Sequence, residues 1–436
     1  MRAKAQRQEF GPAGPLAGLA VLPGDKSISH RALLLAAMTR GRSRIDGLCD
    51  GSDLDSTIHA LRAMGAVIAR DRSGCTVDGV GTGCLLQPEA ALDMGNSGTS
   101  TRLLMGLVAS HKIAATFIGD ASLCRRPMDR VAGPLRRLGA DIAAAPGTRL
   151  PLSVRGICPA VPAVHRLSIA SAQVKSALLF AALNIPGVTR IVQPVATRDH
   201  SERLFRRFGA DIVIKSDEIA IRGEAELRPQ HIIVPGDASA AAFLAVAATI
   251  VPGSAIRIEG VGVNPLRTGL FRLLETMGAD ITFSNPRDLG GEPVADLDVR
   301  HACLRAIDVP ASLIPAMIDE FPIFFVAAAF AQGVSRADGL AELRVKESDR
   351  IGTMAAGLRA LGVQAREHED GIAIEGSDGA PLPGNTEIEA HLDHRVAMAF
   401  AVAGLHCAKP VTIDDMNPVR TSFPAFAATL RALLTA

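Results

Sequence analysis

The chain predicts an α/β (α+β) protein of two domains, built from six repeated α/β units, three in each domain. Three observations carry that prediction. Its 436 residues exceed the size at which a single hydrophobic core keeps growing. A helix end closed by glycine and followed by an apolar strand recurs five times. Two look-alike segments, Leu22-Pro-Gly-Asp-Lys26 and Val234-Pro-Gly-Asp-Ala238, interrupt that series, and Pro-Gly is a turn signal before each long apolar helix pattern that follows.

Taken in chain order, a strand is expected around Leu16–Leu22, and a hinge near 22–25. A long helix follows, with Ala32–Met38 as its apolar run. The first repeat end is Leu61-Arg-Ala-Met-Gly65-Ala66; the others are Leu135-Arg-Arg-Leu-Gly139-Ala140, Arg206-Arg-Phe-Gly209-Ala210, Leu274-Glu-Thr-Met-Gly278-Ala279 and Leu358-Arg-Ala-Leu-Gly362-Val363. Each glycine suits a helix C-terminal cap, where the backbone needs positive φ, and the alternation after it (Ile212-Val-Ile, Ile281-Thr-Phe) reads as a strand. Between them lie the apolar helices Leu103–Val108, Ala240–Ala248 after a second hinge near 234–237, Phe321–Phe330 and Val396–Leu405. A sixth helix end, Leu430-Arg-Ala-Leu-Leu434, has no strand after it before the sequence stops. The opening strand around Leu16–Leu22 is expected to replace it and sew the two ends into one domain. The expected domains are therefore 1–24 with 236–436, and 25–235.

Composition excludes several classes. Apolar residues are 48% and charged residues 21%, as in folded soluble proteins. The net charge is only +1 and aromatics are 3%, with no Trp or Tyr, which argues against nucleic-acid binding. The seven cysteines are scattered, without a C-x-x-C, so neither a disulfide frame nor a zinc site is indicated and a reducing cytosol fits. No segment reads as a membrane span or a secretory leader. A cytoplasmic protein is expected.

The chemistry-bearing residues gather at expected helix starts. Arg344-Val-Lys346-Glu347-Ser-Asp-Arg350 mixes cations with carboxylates at what reads as a strand-to-helix turn, where backbone N–H groups and the helix dipole favour an anion. Glu347 is there an internal counter-ion or an acid/base group. Asp25-Lys26-Ser27-Ile-Ser-His-Arg31 opens the first long helix, but lacks the Walker pattern; Gly79-Val-Gly-Thr-Gly83 reads as a surface turn. Gly95-Asn-Ser-Gly98-Thr-Ser-Thr-Arg102 is either an anion cradle or a ligand-free Ser/Thr cap. Arg125-Arg126 precede a helix-starting Pro127, and Ser171-Ala-Gln173-Val-Lys175 and Thr197-Arg198-Asp-His200 add polar helix starts. Asp319-Glu320 stands at the lip of an apolar run, suited to a raised pKa or to capping. In Asp393-His394-Arg395, His394 orients Arg395 or caps the helix.

These blocks, together with Arg126-Pro-Met128 and Asp393-His-Arg-Val-Ala-Met398, resemble the enolpyruvyl transferase family over nearly the whole chain, and within it the 3-phosphoshikimate 1-carboxyvinyltransferases. The resemblance implies an inverse α/β barrel-like, two-domain fold, with an active site between domains that close on substrate. It implies transfer of the enolpyruvyl group of phosphoenolpyruvate to the 5-hydroxyl of shikimate 3-phosphate through a tetrahedral intermediate, in aromatic amino acid biosynthesis, by a monomer without metal or organic cofactor. Carried over position by position, Lys26, Ser27, Arg31, Ser171, Gln173, Arg198, Asp319 and Lys346 are expected at shikimate 3-phosphate. Lys26, Gly98, Arg126, Gln173, Arg350 and Arg395 are expected at phosphoenolpyruvate, and Asp319, Glu347 and Lys26 as the catalytic set. Gly98, lacking a methyl, leaves room beside phosphoenolpyruvate, which implies inhibition by glyphosate. Departures are Ala172 in place of a second Ser, no Lys near Thr421 but Arg420 adjacent, Glu342 in place of Asn, and no Tyr to stack on the shikimate ring. The nearest rival is the UDP-N-acetylglucosamine enolpyruvyl transferase, whose reactive Cys would fall at Ala121; Cys124 is incidental on this reading. A non-catalytic anion-binding relative is the other alternative.

Overall fold

The computed structural model describes residues 5–215 and 217–434, and all statements below concern these. The chain divides into two compact units: one comprises the stretch up to Pro23, Pro235–Asp288 and Pro293 onward, the other Gly24–Val234 with Leu289–Glu292. The last four residues, the tip between strands Asp280–Leu289 and Glu292–Arg300, are an exchange that no local pattern announced.

The glycine pattern sets the internal repeat. Gly65, Gly139, Gly209, Gly278 and Gly362 have φ of +103°, +103°, +90°, +98° and +83°. Only a residue without Cβ adopts that conformation cheaply, so each helix stops there and the chain turns directly into a strand. Those strands are Val67–Arg70, Asp141–Ala145, Asp211–Ile214, Asp280–Leu289 and Gln364–His368.

The Gly24–Val234 unit holds three four-stranded sheets of one topology. In the second, Leu92–Asp93 runs parallel to Ala114–Ile118, which pairs antiparallel with Arg149–Arg155, which pairs antiparallel with Asp141–Ala145. The third repeats this with Val164–Arg166, Val188–Val192, Glu218–Arg222 and Asp211–Ile214. In the first, the leading strand, His231–Ile233, comes from the far end of the unit and lies parallel to Arg40–Asp46. These sheets are open; their mixed pairing follows from one parallel crossover per copy beside antiparallel neighbours.

In the other unit the sixth copy is completed differently from expectation. Gln8–Phe10 pairs antiparallel with Val411–Ile413, beside Thr386–Ile388, and so supplies the strand that the sequence's end lacks. Ala17–Ala20 instead runs parallel to Ala255–Gly262 and leads the sheet of the next copy. The alternation around Leu16–Leu22 marks a strand, but which sheet it joins depends on register, which is a tertiary choice. Gly79 also differs from a surface turn. It lies in strand Gly74–Val80, and a Cβ there would meet the Ala36 carbonyl oxygen at 2.3 Å.

Each unit is organised around three apolar helices. In one they are Lys26–Ala37, Gly98–Ala109 and Ala172–Ala182; in the other, Ala238–Ile250, Phe321–Phe330 and His394–Gly404. Every residue of Ala238–Ile250 and Phe321–Phe330 is buried, so these helices are apolar on all faces. Helices such as Asp129–Arg137 and His200–Arg207 bury one face only. Among the described residues no helix is long and apolar enough to cross a membrane.

Candidate active site

Because the central helices are apolar beyond their opening residues, polar side chains gather toward their N-terminal ends. Their N-termini carry most of the motifs. Asp25 accepts a hydrogen bond from Ile28 N at 2.8 Å, Asp237 from Ser239 N at 2.7 Å, Asp393 from Arg395 N at 2.9 Å, Ser97 from Ser100 N at 3.2 Å and Ser171 from Val174 N at 3.4 Å. Phe321–Phe330 instead has a proline in its first turn, which removes one donor that would need a partner. Asp393, not His394, is thus the cap of its helix; an acceptor is needed there, and the carboxylate is better placed by one residue. The Ser/Thr cap reading of the Gly95–Arg102 segment holds for Ser97, and leaves Gly98 as the first helical residue.

In the Gly24–Val234 unit, Lys26 opens its helix and forms an ion pair with Asp53. Arg31, one turn on and only 3% exposed, donates from Nε to Ser201 Oγ at 2.8 Å, from Nη2 to Ser176 Oγ at 2.9 Å and from Nη1 to the Ser27 carbonyl at 2.8 Å. Burial, then the Arg198 guanidinium nearby, push Arg31 down to about 10. Two guanidiniums held close together favour any anion that comes between them. Gln173 accepts from Arg102 Nη1 at 2.9 Å and donates to Thr99 Oγ1 at 3.0 Å, tying the helix of Ser171 to that of Gly98. Arg126 donates to the Asn96 carbonyl at 3.2 Å and to Ser122 Oγ at 3.1 Å, and its Nη1 would lie 3.3 Å from a Cβ on Gly98. Pro127 does not start a helix: a 3-10 turn, Leu123–Arg125, precedes Arg126, and the helix begins at Asp129. A buried polar chain runs behind these groups, with Ser97 to Ser100 at 2.6 Å, Ser100 to Thr57 at 2.7 Å and Thr57 to His30 Nδ1 at 2.8 Å. Burial, then Lys26 and Arg31, hold His30 well below its usual range, so it is neutral among cations.

In the other unit, Asp319, Lys346, Glu347, Arg350 and Arg395 form one cluster. Lys346 Nζ is 3.7 Å and Arg350 Nη1 3.8 Å from Asp319 Oδ1, and Arg267 Nη1 is 3.8 Å from Asp319 Oδ2. Arg395 donates to the Asp319 carbonyl at 2.8 Å and to Glu320 at 3.2 Å. Arg350, 1% exposed, pairs with Glu347 and through Nε with Asp393 Oδ2 at 2.8 Å. Burial opposes its charge, but Asp393 and then Glu347 outweigh it and raise its pKa; Asp393 is lowered by Arg350 against the burial that would raise it. Arg350 Nη1 has no hydrogen-bond partner among the described residues, so a donor remains for an anion beside Asp319. Lys346 also pairs with Glu342 at 2.8 Å, so the Glu found in place of Asn is a counter-ion to the expected ligand lysine. The turn before Arg350 is not strand-to-helix: a 3-10 turn, Ala341–Val345, lies between strand Val334–Ala337 and helix Arg350–Ala360.

Sequence reasoning passed over Asp53, Ser239 and Arg267, and did not foresee what Arg102 and Glu320 would pair with. Ser239 and Arg267 converge on Glu320, with Arg267 Nη1 at 2.9 Å from Glu320 Oε2. The available signal was a buried-looking acid between apolar runs; its cation, 53 residues earlier, had none. Among the described residues no group of three or more His, Cys, Asp or Glu side chains could hold a metal ion. None of the seven cysteines forms a disulfide.

Residues 11–430 match the sequence model of a family described as EPSP synthase (3-phosphoshikimate 1-carboxyvinyltransferase). The chain is 59% identical over 422 residues to a 3-phosphoshikimate 1-carboxyvinyltransferase of Zymomonas mobilis, covering 95% of this chain and 93% of that one. It is 57% identical to one of Sphingopyxis alaskensis, covering 98% of both. A solved EPSP synthase from Acinetobacter baumannii superposes with a TM-score of 0.87 at 42% identity over 98% of both chains. The enolpyruvyl transferase NikO from Streptomyces tendae, at 19% identity and a TM-score of 0.77 over 99% of this chain and 98% of that one, shares the fold. With its helix-end motifs, its repeat and these relatives in agreement, the chain belongs to the EPSP synthase (3-phosphoshikimate 1-carboxyvinyltransferase) family.

Proposed function

We propose that this protein transfers the enolpyruvyl group of phosphoenolpyruvate to the 5-hydroxyl of shikimate 3-phosphate, releasing phosphate. The observation that carries the residue assignment is the cluster in which Asp319 stands within 3.8 Å of Lys346 and Arg350 while Glu347 pairs with that same arginine. Asp319 is the base for the attacking hydroxyl. As the hydroxyl oxygen gives its proton to Asp319 and bonds to C2 of phosphoenolpyruvate, C3 takes one proton, and Glu347 with Lys26 handles the proton traffic at C3 and at the leaving phosphate. In the second half C3 returns a proton to that Glu347 and Lys26 pair, the C–H electrons form the double bond, and the C2–phosphate oxygen bond breaks with its electron pair leaving on phosphate. Ser27, Arg31, Ser171, Gln173, Arg198 and Lys346, with Lys26, hold shikimate 3-phosphate. Gly98, Arg126, Gln173, Arg350 and Arg395, with Lys26, hold phosphoenolpyruvate. Two phosphomonoesters of roughly −1.5 to −2 each need many fixed donors, and charge-assisted bonds of about 1.5–3 kcal/mol apiece stabilise the crowded adduct.

The enzyme acts as a cytoplasmic monomer; seven cysteines without a disulfide suit a reducing compartment. Product analysis after mixing enzyme with both substrates tests the reaction: 5-enolpyruvylshikimate 3-phosphate and phosphate are expected in equal amounts, and turnover of UDP-N-acetylglucosamine alone would reverse the assignment. Glu347→Gln tests the proton role. Binding of either substrate stays within a few fold while kcat falls by roughly two to four orders of magnitude, the usual worth of a positioned acid or base. An unchanged kcat removes Glu347 from the chemistry.

A further inference from the structure

Lys175 is fully buried, on a helix whose neighbours Val174, Ala177 and Leu178 are core residues. An ammonium is almost never buried completely unless it is paired, and a leucine at this position would pack without desolvation cost. The three N–H donors of Lys175 are all taken: Glu202 Oε1 at 2.6 Å, the Thr197 carbonyl at 3.1 Å and the Arg198 carbonyl at 3.0 Å. Glu202 lies in the first turn of helix His200–Arg207, directly after the turn that carries those carbonyls. The adjacent pair of residues on the same two helices acts in a parallel way, since Ser176 Oγ and Ser201 Oγ are 2.7 Å apart and both accept from the Arg31 guanidinium.

We infer that Lys175 and Glu202 are a buried positioning pair, fixing the Thr197–Asp199 turn so that Arg198 presents its guanidinium to the phosphate of shikimate 3-phosphate beside Arg31. The inference rests on the assignment of Arg198 and Arg31 to that ligand. Lys175 has no exposed surface, so it acts through Arg198 and not on substrate. Two guanidiniums repel, and a turn without an internal anchor would let Arg198 swing away from Arg31. With two consecutive carbonyls held by one ammonium, both peptide planes are set before the ligand arrives, which lowers the ordering cost of binding.

The test is steady-state kinetics of the full-length enzyme, varying each substrate with the other saturating, in Lys175→Met, Arg198→Ala and the double variant. Lys175→Met is expected to raise KM for shikimate 3-phosphate about tenfold, the equivalent of ~1.4 kcal/mol, with KM for phosphoenolpyruvate within twofold of the parent. In the Arg198→Ala background the same substitution adds less than twofold, because the group it positions is gone. A merely structural lysine would change both substrates alike and act equally in both backgrounds, and that result overturns the inference. Should Lys175→Met fail to fold with Glu202 left unpaired, Lys175→Met with Glu202→Leu removes both charges and carries the same expectation; an unchanged KM there is equally decisive. If Arg198→Ala by itself leaves KM for shikimate 3-phosphate unaltered, the assignment of Arg198 falls, and this inference with it. If Arg198→Ala raises that KM while the Lys175 effect is additive, the inference alone falls.

Discussion

Gly98 stands where a single added methyl would meet two arginines. A Cβ there would meet Arg102 Nη1 at 2.7 Å and Arg126 Nη1 at 3.3 Å. Arg102 could move, but only by releasing Gln173, and Arg126 would be crowded where phosphoenolpyruvate is assigned. Gly98→Ala is expected to raise KM for phosphoenolpyruvate roughly tenfold through one weakened charge-assisted bond of ~1.5 kcal/mol. Inhibition by glyphosate, competing against phosphoenolpyruvate, should weaken by at least as much; equal inhibition of both forms would refute the spatial argument. At this scale the sequence was readable where the motif is contiguous: Lys26 to Arg31, Gly98 and Lys346 to Arg350 each mark a helix start within a few residues. Arg350 was legible as a cation, but its burial against Asp393, 43 residues away, was not. That pairing makes Arg350 a support for the His394–Gly404 helix start, besides its proposed place at phosphoenolpyruvate.

The central helices were visible as apolar runs, and their caps as Asp or Ser before them. What could not be read is how closely two such helices approach. Gly106 lies inside Gly98–Ala109, where a Cβ would sit 2.1 Å from the Ala177 carbonyl oxygen of Ala172–Ala182. Alanine is the better helix former by ~1 kcal/mol, so propensity alone favours Gly106→Ala. Backbone contact reverses the sign: the two helices would have to separate, and destabilisation of about 1–3 kcal/mol is expected, as for other overpacked cores. Urea unfolding of the variant measures it; a stability equal to or above the parent would show that the helices can part freely. The 3-10 turns before Arg126 and before Lys346 were likewise missed, because short 3-10 segments have no periodicity to detect. They shift the following helix start by a residue or two and so decide where each cation stands.

On the scale of the whole molecule, the Gly24–Val234 unit buries imidazoles that it keeps neutral. Burial pushes His165 down to about 4, lowers His111, and with Lys26 and Arg31 lowers His30. The unfolded chain protonates them below ~6.5, whereas the folded unit does so only at lower pH. Stability is therefore full above about pH 6.5 and falls as pH decreases toward 4, because the unfolded state binds more protons in that window. Neither ring nitrogen of His165 has a hydrogen-bond partner among the described residues, so His165→Leu should fold well and flatten the decline between pH 6.5 and 4. Urea midpoints across that range check this; an unchanged slope would mean that His165 takes up its proton in the folded state.

Local order was determined by the sequence itself. Five glycines at near-regular spacing place five helix ends and five strands, because positive φ is a property of the residue and needs no neighbour. The ends of the chain obey a different rule. Gln8–Phe10 and Ala17–Ala20 are both short, alternating and plausible partners for a sheet that lacks a strand, and only assembly decided that the first closes against Val411–Ile413 while the second leads into Ala255–Gly262. The same holds for the ion pairs that surround Asp319, Lys26 and Lys175. Attraction between charges depends on distance and burial, and residues tens or hundreds of positions apart acquire both only when the sheets have chosen their register.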